Sequence, residues 1–133
     1  MFHSTTLSIT INKNPHETYE YIRNPENLPS WLTSFTKSVK KVNDQWVLET
    51  LDGPMNIRFV DKNEFGVLDH YVTPTPEQSI LNPMRVIPND TGCEVLFTLF
   101  QLLEITDEQF AADKKMVEQD LQTLKTILEK TNL

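Results

Sequence analysis

The segment from Thr106 to Lys130 constrains the fold more than any other part of the chain. Thr106 and Gln109 form a capping-box pair, and Ile105 and Phe110 occupy the two positions of a hydrophobic staple. Beyond that start, Phe110, Val117, Leu121, Leu124 and Leu128 recur at helical spacing, with Asp107 and Glu108 in the first turn and Lys125 and Lys130 toward the end. At 1.5 Å per residue a helix of about 23 residues reaches roughly 35 Å, the width of a whole small domain. Its apolar stripe needs an equally long apolar surface to pack on.

What precedes it reads mostly as strand and turn. Thr5, Leu7, Ile9 and Ile11 alternate with Ser4, Thr6, Ser8 and Thr10, the pattern of a half-buried strand from His3 to Ile11. Asn14 then caps, Pro15 suits a first helical position, and Glu17 follows the cap by three, predicting a short helix through about Arg23 with Tyr19 and Ile22 inward. Asn24-Pro25 repeats the signal, and Pro29 arrives too soon for a long helix, so residues 15–35 read as two short helices leading into an aromatic segment. Strands are predicted over Ser38–Val42, Gln45–Leu51, Met55–Val60, Gly66–Val72, about Gln78–Ile87 and Cys93–Gln101. Polar pairs such as Asn43-Asp44 and Asp52-Gly53 close hairpins between them. Pro74 to Pro76 reads as a connection, and Pro83 predicts an edge position or a bulge.

A chain of 133 residues fits one domain, and these elements make it an α+β domain in which the antiparallel sheet must curve around the last helix. The element order resembles the helix-grip fold of the START-related and polyketide cyclase superfamily (SRPBCC). The resemblance is carried by Asn14-Pro15-His16-Glu17-Thr18-Tyr19-Glu20-Tyr21-Ile22, by Asn24-Pro25-Glu26-Asn27-Leu28-Pro29-Ser30-Trp31, by Gly53-Pro54-Met55, by Pro83 to Asn89, and by the last strand and helix; it covers essentially residues 1–133. It implies a cavity between sheet and C-terminal helix that binds or carries a hydrophobic or aromatic small molecule. The superfamily also includes lipid carriers, aromatase/cyclases, oxygenase subunits and co-chaperones. A cyclase/dehydratase-like or hydrolase activity and an Hsp90-activator-like interaction domain therefore stand as alternatives.

Charge and composition narrow the field. A net charge of -7, with no basic cluster larger than Lys37, Lys40 and Lys41, argues against nucleic acid and anionic membranes. With only Gly53, Gly66 and Gly92, neither a P-loop nor a dinucleotide fingerprint can be built. The single Cys93 cannot form an internal disulfide, and neither a leader-like apolar run nor a membrane span is evident, so a cytoplasmic protein is expected. His3, His16 and His70 are scattered over different elements, and no metal or cofactor is expected.

Trp31, Phe35, Met55 and Met84 are candidates for an adaptable apolar wall, or else ordinary core. His70 shares a strand face with Leu68 and Val72 while Asp69 points away, so these neighbours form no acid–base dyad; His70 is either a ligand contact or a satisfied core histidine. Arg85 could hold a carboxylate or phenolate end of a ligand, although Met84 and Val86 compete for the inner face and a solvated or salt-bridged Arg85 is preferred. Asp113 borders the helix stripe beside Val117, and a solvated boundary position is preferred for it. Leu96 and Phe100 lie on the sheet face opposite Val95, Phe97 and Leu99, which leaves room for a homodimer.

Overall fold

The structure is a computed structural model that describes residues 1–130. Strand β1 (His3–Ile11) turns Thr5, Leu7, Ile9 and Ile11 inward and Ser4, Thr6, Ser8 and Thr10 outward, as the alternation predicts. Helix α1 (Pro15–Arg23) starts where the Asn14 carboxamide accepts from the backbone N–H groups of His16 and Glu17. Glu17 does not reach back to the cap; its carboxylate lies 3.5 Å from the Lys13 ammonium. Asn24 caps a single 3₁₀ turn, Pro25–Asn27, that runs into α2 (Leu28–Trp31).

Six further strands follow: β2 (Thr36–Val42), β3 (Gln45–Thr50), β4 (Gly53–Phe59), β5 (His70–Thr75), β6 (Gln78–Asn82) and β7 (Met84–Asn89). Strand β8 (Gly92–Gln101) and helix α3 (Asp107–Lys130) complete the domain. Strands β1, β8 and β7 form one sheet in that order, and β2 to β6 form the other in sequence order. Pro83 lies between β6 and β7, so the single predicted strand over 78–87 is one run that changes partner, from β5 before the proline to β8 after it. The Pro83 carbonyl still accepts from Thr98, 3.0 Å away, and the two sheets run on into each other there as one curved surface.

Both ends of one predicted strand move by several residues, while β2 and β4 each begin two residues earlier than expected. The strand expected over Gly66–Val72 begins only at His70, because the Asn63 side chain organises the preceding loop. Its carboxamide accepts from the N–H groups of Phe65 and Val67 and donates to the carbonyls of Asp61 and Val67. At its other end β5 runs through Pro74 to Thr75 instead of stopping at Val72. The register with β6 shifts between Val72 and Thr75, an irregularity that accommodates the proline, and the turn itself is Pro76-Glu77.

Helix α3 packs against β1, β8 and α2. The Thr106 hydroxyl accepts from the Gln109 N–H at 3.1 Å, while the Gln109 carboxamide turns to Asp113, so only half of the capping box forms. Leu121, Leu124 and Leu128 are buried in a core that includes Ile11, Ile22 and Val95. Cys93, at the start of β8, is buried beneath α1 with its Sγ 3.5 Å from the Thr18 hydroxyl. Among the described residues no helix is long and apolar enough to cross a membrane.

Candidate functional site

The concave face of the sheet is set by strand alternation. Trp46, Leu48, Met55, Ile57, Phe59, His70 and Val72 point to one side of the five-stranded sheet, in register as Trp46 opposite Ile57, Leu48 opposite Met55 and Phe59 opposite His70. On the three-stranded sheet Met84 faces Phe97, which in turn faces Leu7. Trp31 and Met84 are fully inside the resulting apolar cluster. Phe35, Met55, Phe59, Leu99 and Val117 pack against it but remain only half-buried.

His70 sits in this surface with 5 % of its area exposed. Its ring lies 4.9 Å from that of Phe59 and 5.8 Å from that of Phe97, and Nδ1 is 3.0 Å from the Leu68 carbonyl oxygen. A carbonyl only accepts, so Nδ1 carries the proton and Nε2 is left as an acceptor in neutral imidazole. Burial holds the His70 pKa below its ordinary value, against the opposing pull of the Leu68 carbonyl and the Asp69 charge. A neutral imidazole among phenyl rings can accept a hydrogen bond, but among the described residues its Nδ1 is oriented by the Leu68 carbonyl and not by a carboxylate, as the base of a catalytic dyad would be.

Arg85 lies on the opposite face of β7 from Met84 and Val86. Its guanidinium pairs with the Asp69 carboxylate and donates to the Met84 carbonyl at 2.9 Å. Asp69 also accepts from the Met84 N–H at 2.9 Å, so the pair ties β7 to the residue preceding β5. Asp113 is half-buried in the second turn of α3 and accepts from the Gln109 carboxamide at 2.8 Å. The candidates therefore divide: Trp31, Phe35, Met55, His70, Met84 and Val117 share one apolar surface, and Arg85 is engaged on the other side of the sheet.

The sequence places Asp120 seven residues beyond Asp113, about 10 Å along the helix axis and too far for the two carboxylates to share a proton, and assigns it no further role. Asp120 is only 2 % exposed and accepts from the Ser34 N–H at 3.1 Å, holding the link between α2 and β2 onto α3. Desolvation raises its pKa, opposed by hydrogen bonds from Ser34 and Thr33. The signal was present: Asp113, Val117, Asp120 and Leu124 follow one another at spacings of four, three and four along a single helix face. Beside that link, the Trp31 Nε1 and the Thr36 hydroxyl are buried without a hydrogen-bond partner.

Two open surface depressions lie at the margins of this cluster, one bordered by its Trp46, Ile57 and Phe59 and the other by its Tyr19 and Val86. One, of about 410 Å³, is bounded by residues that include Arg23, Trp46, Asn56, Arg58 and Tyr71; Ile57 and Phe59, which also border it, face the other side of β4 from Asn56 and Arg58, so it is not an enclosed chamber. The other, about 260 Å³, lies between the start of α1 and the loop at 63–66. Among the described residues no group of histidine, cysteine and acidic side chains is arranged to hold a metal ion.

The fold is shared with solved proteins of low sequence identity. The XoxI protein from Bacillus cereus is 21% identical and superposes with a TM-score of 0.74 over 94% of each chain. The Aha1 dimer from Colwellia psychrerythraea is 17% identical, with a TM-score of 0.73 over 96% of each chain. Ara h 8.0201 is 11% identical, with a TM-score of 0.68 over 96% of this chain and 98% of its own. No curated protein matches the chain. A family model described as polyketide cyclase/dehydrase and lipid transport matches residues 3–129, and with a match of that extent the chain belongs to this family.

Proposed function

We propose that the protein binds or carries a small hydrophobic or aromatic molecule between the concave sheet face and α3. The observation that carries this reading is that Trp31 Nε1 and Thr36 Oγ1, two of the buried polar atoms without hydrogen-bond partners among the described residues, flank the link at 32–35 beside an apolar surface; Arg23 Nε, also unpartnered, lies elsewhere, at the depression of about 410 Å³. An indole N–H is a donor only, and native interiors leave few such groups unpaired. A carbonyl or hydroxyl on an otherwise apolar ligand satisfies it. The half-buried Phe35, Met55, Phe59 and Val117 supply the adaptable apolar wall that small-molecule sites favour. His70 Nε2 offers one further acceptor within the same wall. Because Trp31 is almost completely covered, ligand entry requires the link at 32–35 to move, and Asp120 is the group that holds it.

Family membership in polyketide cyclase/dehydrase and lipid transport agrees with this class of ligand. The likeness to the Aha1 dimer favours a second reading, an interaction domain for another protein. Native mass spectrometry of freshly purified protein, followed by denaturing extraction, separates the two. A stoichiometric apolar companion, lost or diminished in Trp31→Phe, supports the ligand reading. A clean apo mass with no thermal shift across a lipid and aromatic panel sinks it in favour of the interaction domain.

A further inference from the structure

Strand β1 lies at the outer edge of the three-stranded sheet, and its backbone shows which groups are free there. The Thr10 carbonyl accepts from the Lys125 ammonium at 2.7 Å, and the Asn12 N–H donates to Glu129 at 2.8 Å; both contacts point away from β8. In an antiparallel ladder the outward groups recur at every second residue, so Ser4, Thr6 and Ser8 also turn their N–H and C=O groups to this edge. The Lys125–Glu129 clamp occupies this edge at its Thr10 end, and at the other end Phe110 of α3 meets the His3 ring.

The two open edges of the fold are treated differently. Strand β2 carries Lys37, Lys40 and Lys41 and a register shift between Thr36 and Ser38, the charges and irregularity that discourage edge pairing. Strand β1 has neither. From Met1 to Asn12 there is no Asp, Glu, Lys or Arg, in a chain of net charge -7. This is a place where two copies of so acidic a protein approach without setting like charges opposite one another.

We propose that β1 of a second copy pairs antiparallel with this edge about a two-fold axis at Thr6. Ser4 then faces the partner's Ser8, Thr6 faces the partner's Thr6, and each facing pair exchanges both of its N–H···O=C bonds. The hydroxyl side chains at 4, 6 and 8 are nearly self-complementary about that axis, which is what an isologous contact needs and what selects a second copy over an unrelated extended peptide. On the outer face the seam is flanked by Phe2, 46% exposed, with its ring 6.4 Å from that of Phe100, and by Leu96 beside Ser8. Strand pairing of this length buries less than a standard interface of about 1,600 Å², so the dimer is reversible and concentration-dependent.

Sedimentation velocity across a concentration series, read with amide hydrogen exchange, tests the pairing. The wild-type protein shifts from monomer to dimer mass as concentration rises, and the amides of Ser4, Thr6 and Ser8 slow at least tenfold in the dimer. Thr6→Pro removes an N–H that points away from β8, so it abolishes the dimer while leaving the circular dichroism unchanged. Ser8→Lys places a charge at the seam and has the same effect; it decides the matter if Thr6→Pro unfolds the chain. A monomer at every soluble concentration overturns the proposal, as does a dimer that survives Ser8→Lys with these three amides still exchanging fast. Protection of the same amides only on adding a Ser/Thr-rich extended peptide replaces the second copy with a foreign strand and also overturns it.

Discussion

The Lys125 ammonium reaches across from α3 to the Thr10 carbonyl, 2.7 Å away, on the side of β1 that no strand covers. It also pairs with Glu129, which accepts from the Asn12 N–H, so a helical i,i+4 pair acts as a substitute neighbour for the end of an edge strand. The hydrogen bond from Lys125, and then that from Asn12, lowers the Glu129 pKa. A carboxylate with a lowered folded pKa contributes stability above its unfolded value near 4.5 and loses it as pH falls through the folded value. Lys125→Met is expected to cost about 1 kcal/mol, in line with a single charge-assisted hydrogen bond, and to speed exchange at the Asn12 amide. Urea denaturation with amide exchange measures both.

The Trp31 ring and its N–H act in different currencies. Trp31→Phe keeps most of the buried ring while removing a donor that has no protein partner, so stability should hold or rise by about 1 kcal/mol. Affinity for a ligand bearing a carbonyl or hydroxyl should fall about tenfold, the worth of one hydrogen bond at 1.4 kcal/mol per decade. Isothermal titration against whatever ligand is extracted from the native protein reads the second effect, and denaturation the first.

His70 predicts a pH dependence of stability. Its folded pKa is lowered from 6.5, so the unfolded chain binds more protons between the two values. The contribution is complete above 6.5 and is lost as pH falls through the folded value. His70→Phe, which retains the aromatic contacts with Phe59 and Phe97, should flatten the melting temperature between pH 7 and 5 relative to wild type. An unchanged slope in His70→Phe would sink this assignment.

Asp120 acts with the opposite sign. Its folded pKa is raised from 3.8, so the folded protein holds the proton longer and loses stability as pH rises through the interval up to the folded value. Asp120→Asn keeps an acceptor for the Ser34 N–H without the buried charge, and should leave stability at neutral pH unchanged or improved. Asp120→Ala orphans that N–H and should cost about 1–3 kcal/mol, with faster exchange at Ser34. Comparing the two variants by thermal melts separates the charge from the hydrogen bond.

Gly66 is the position least tolerant of a side chain. It has φ +71°, and a Cβ built there would fall 2.2 Å from the Val86 carbonyl oxygen. The same two residues are joined by a hydrogen bond from the Val86 N–H to the Gly66 carbonyl, so neither can retreat without breaking it. Gly66→Ala should destabilise by about 2–5 kcal/mol, combining left-handed strain with overpacking. Thermal unfolding provides the check.

Much of this fold was legible from local pattern. The spacing of Phe110, Leu121 and Leu124 and the alternation from His3 to Ile11 are one-dimensional signals, and both elements form where they predict. What escaped notice depends on partners distant in sequence. The Gly66–Val72 strand starts late because the Asn63 side chain takes up backbone groups that a ladder would use, and Pro74 stays inside β5 because a register shift accommodates it. For the candidate site, the burial of Trp31, Met84 and His70 was legible from residue type and strand alternation, whereas their joint use by a ligand is not a property of local pattern. Asp120 reads in the sequence only as too distant from Asp113 to share its proton, because a carboxylate on an apolar face becomes informative only once Ser34 is known to stand opposite it. The orientation of Arg85 likewise follows from its pairing with Asp69, sixteen residues away.

The change of partner at Pro83 bears on how the molecule comes apart. Because residues 78–89 belong first to one sheet and then to the other, neither sheet can separate from the core without pulling on a strand of its companion. Proline here does not divide the domain into two independently melting halves. It links them, so that unfolding is expected as one cooperative event in which the grip on α3 and the integrity of both sheets are lost together.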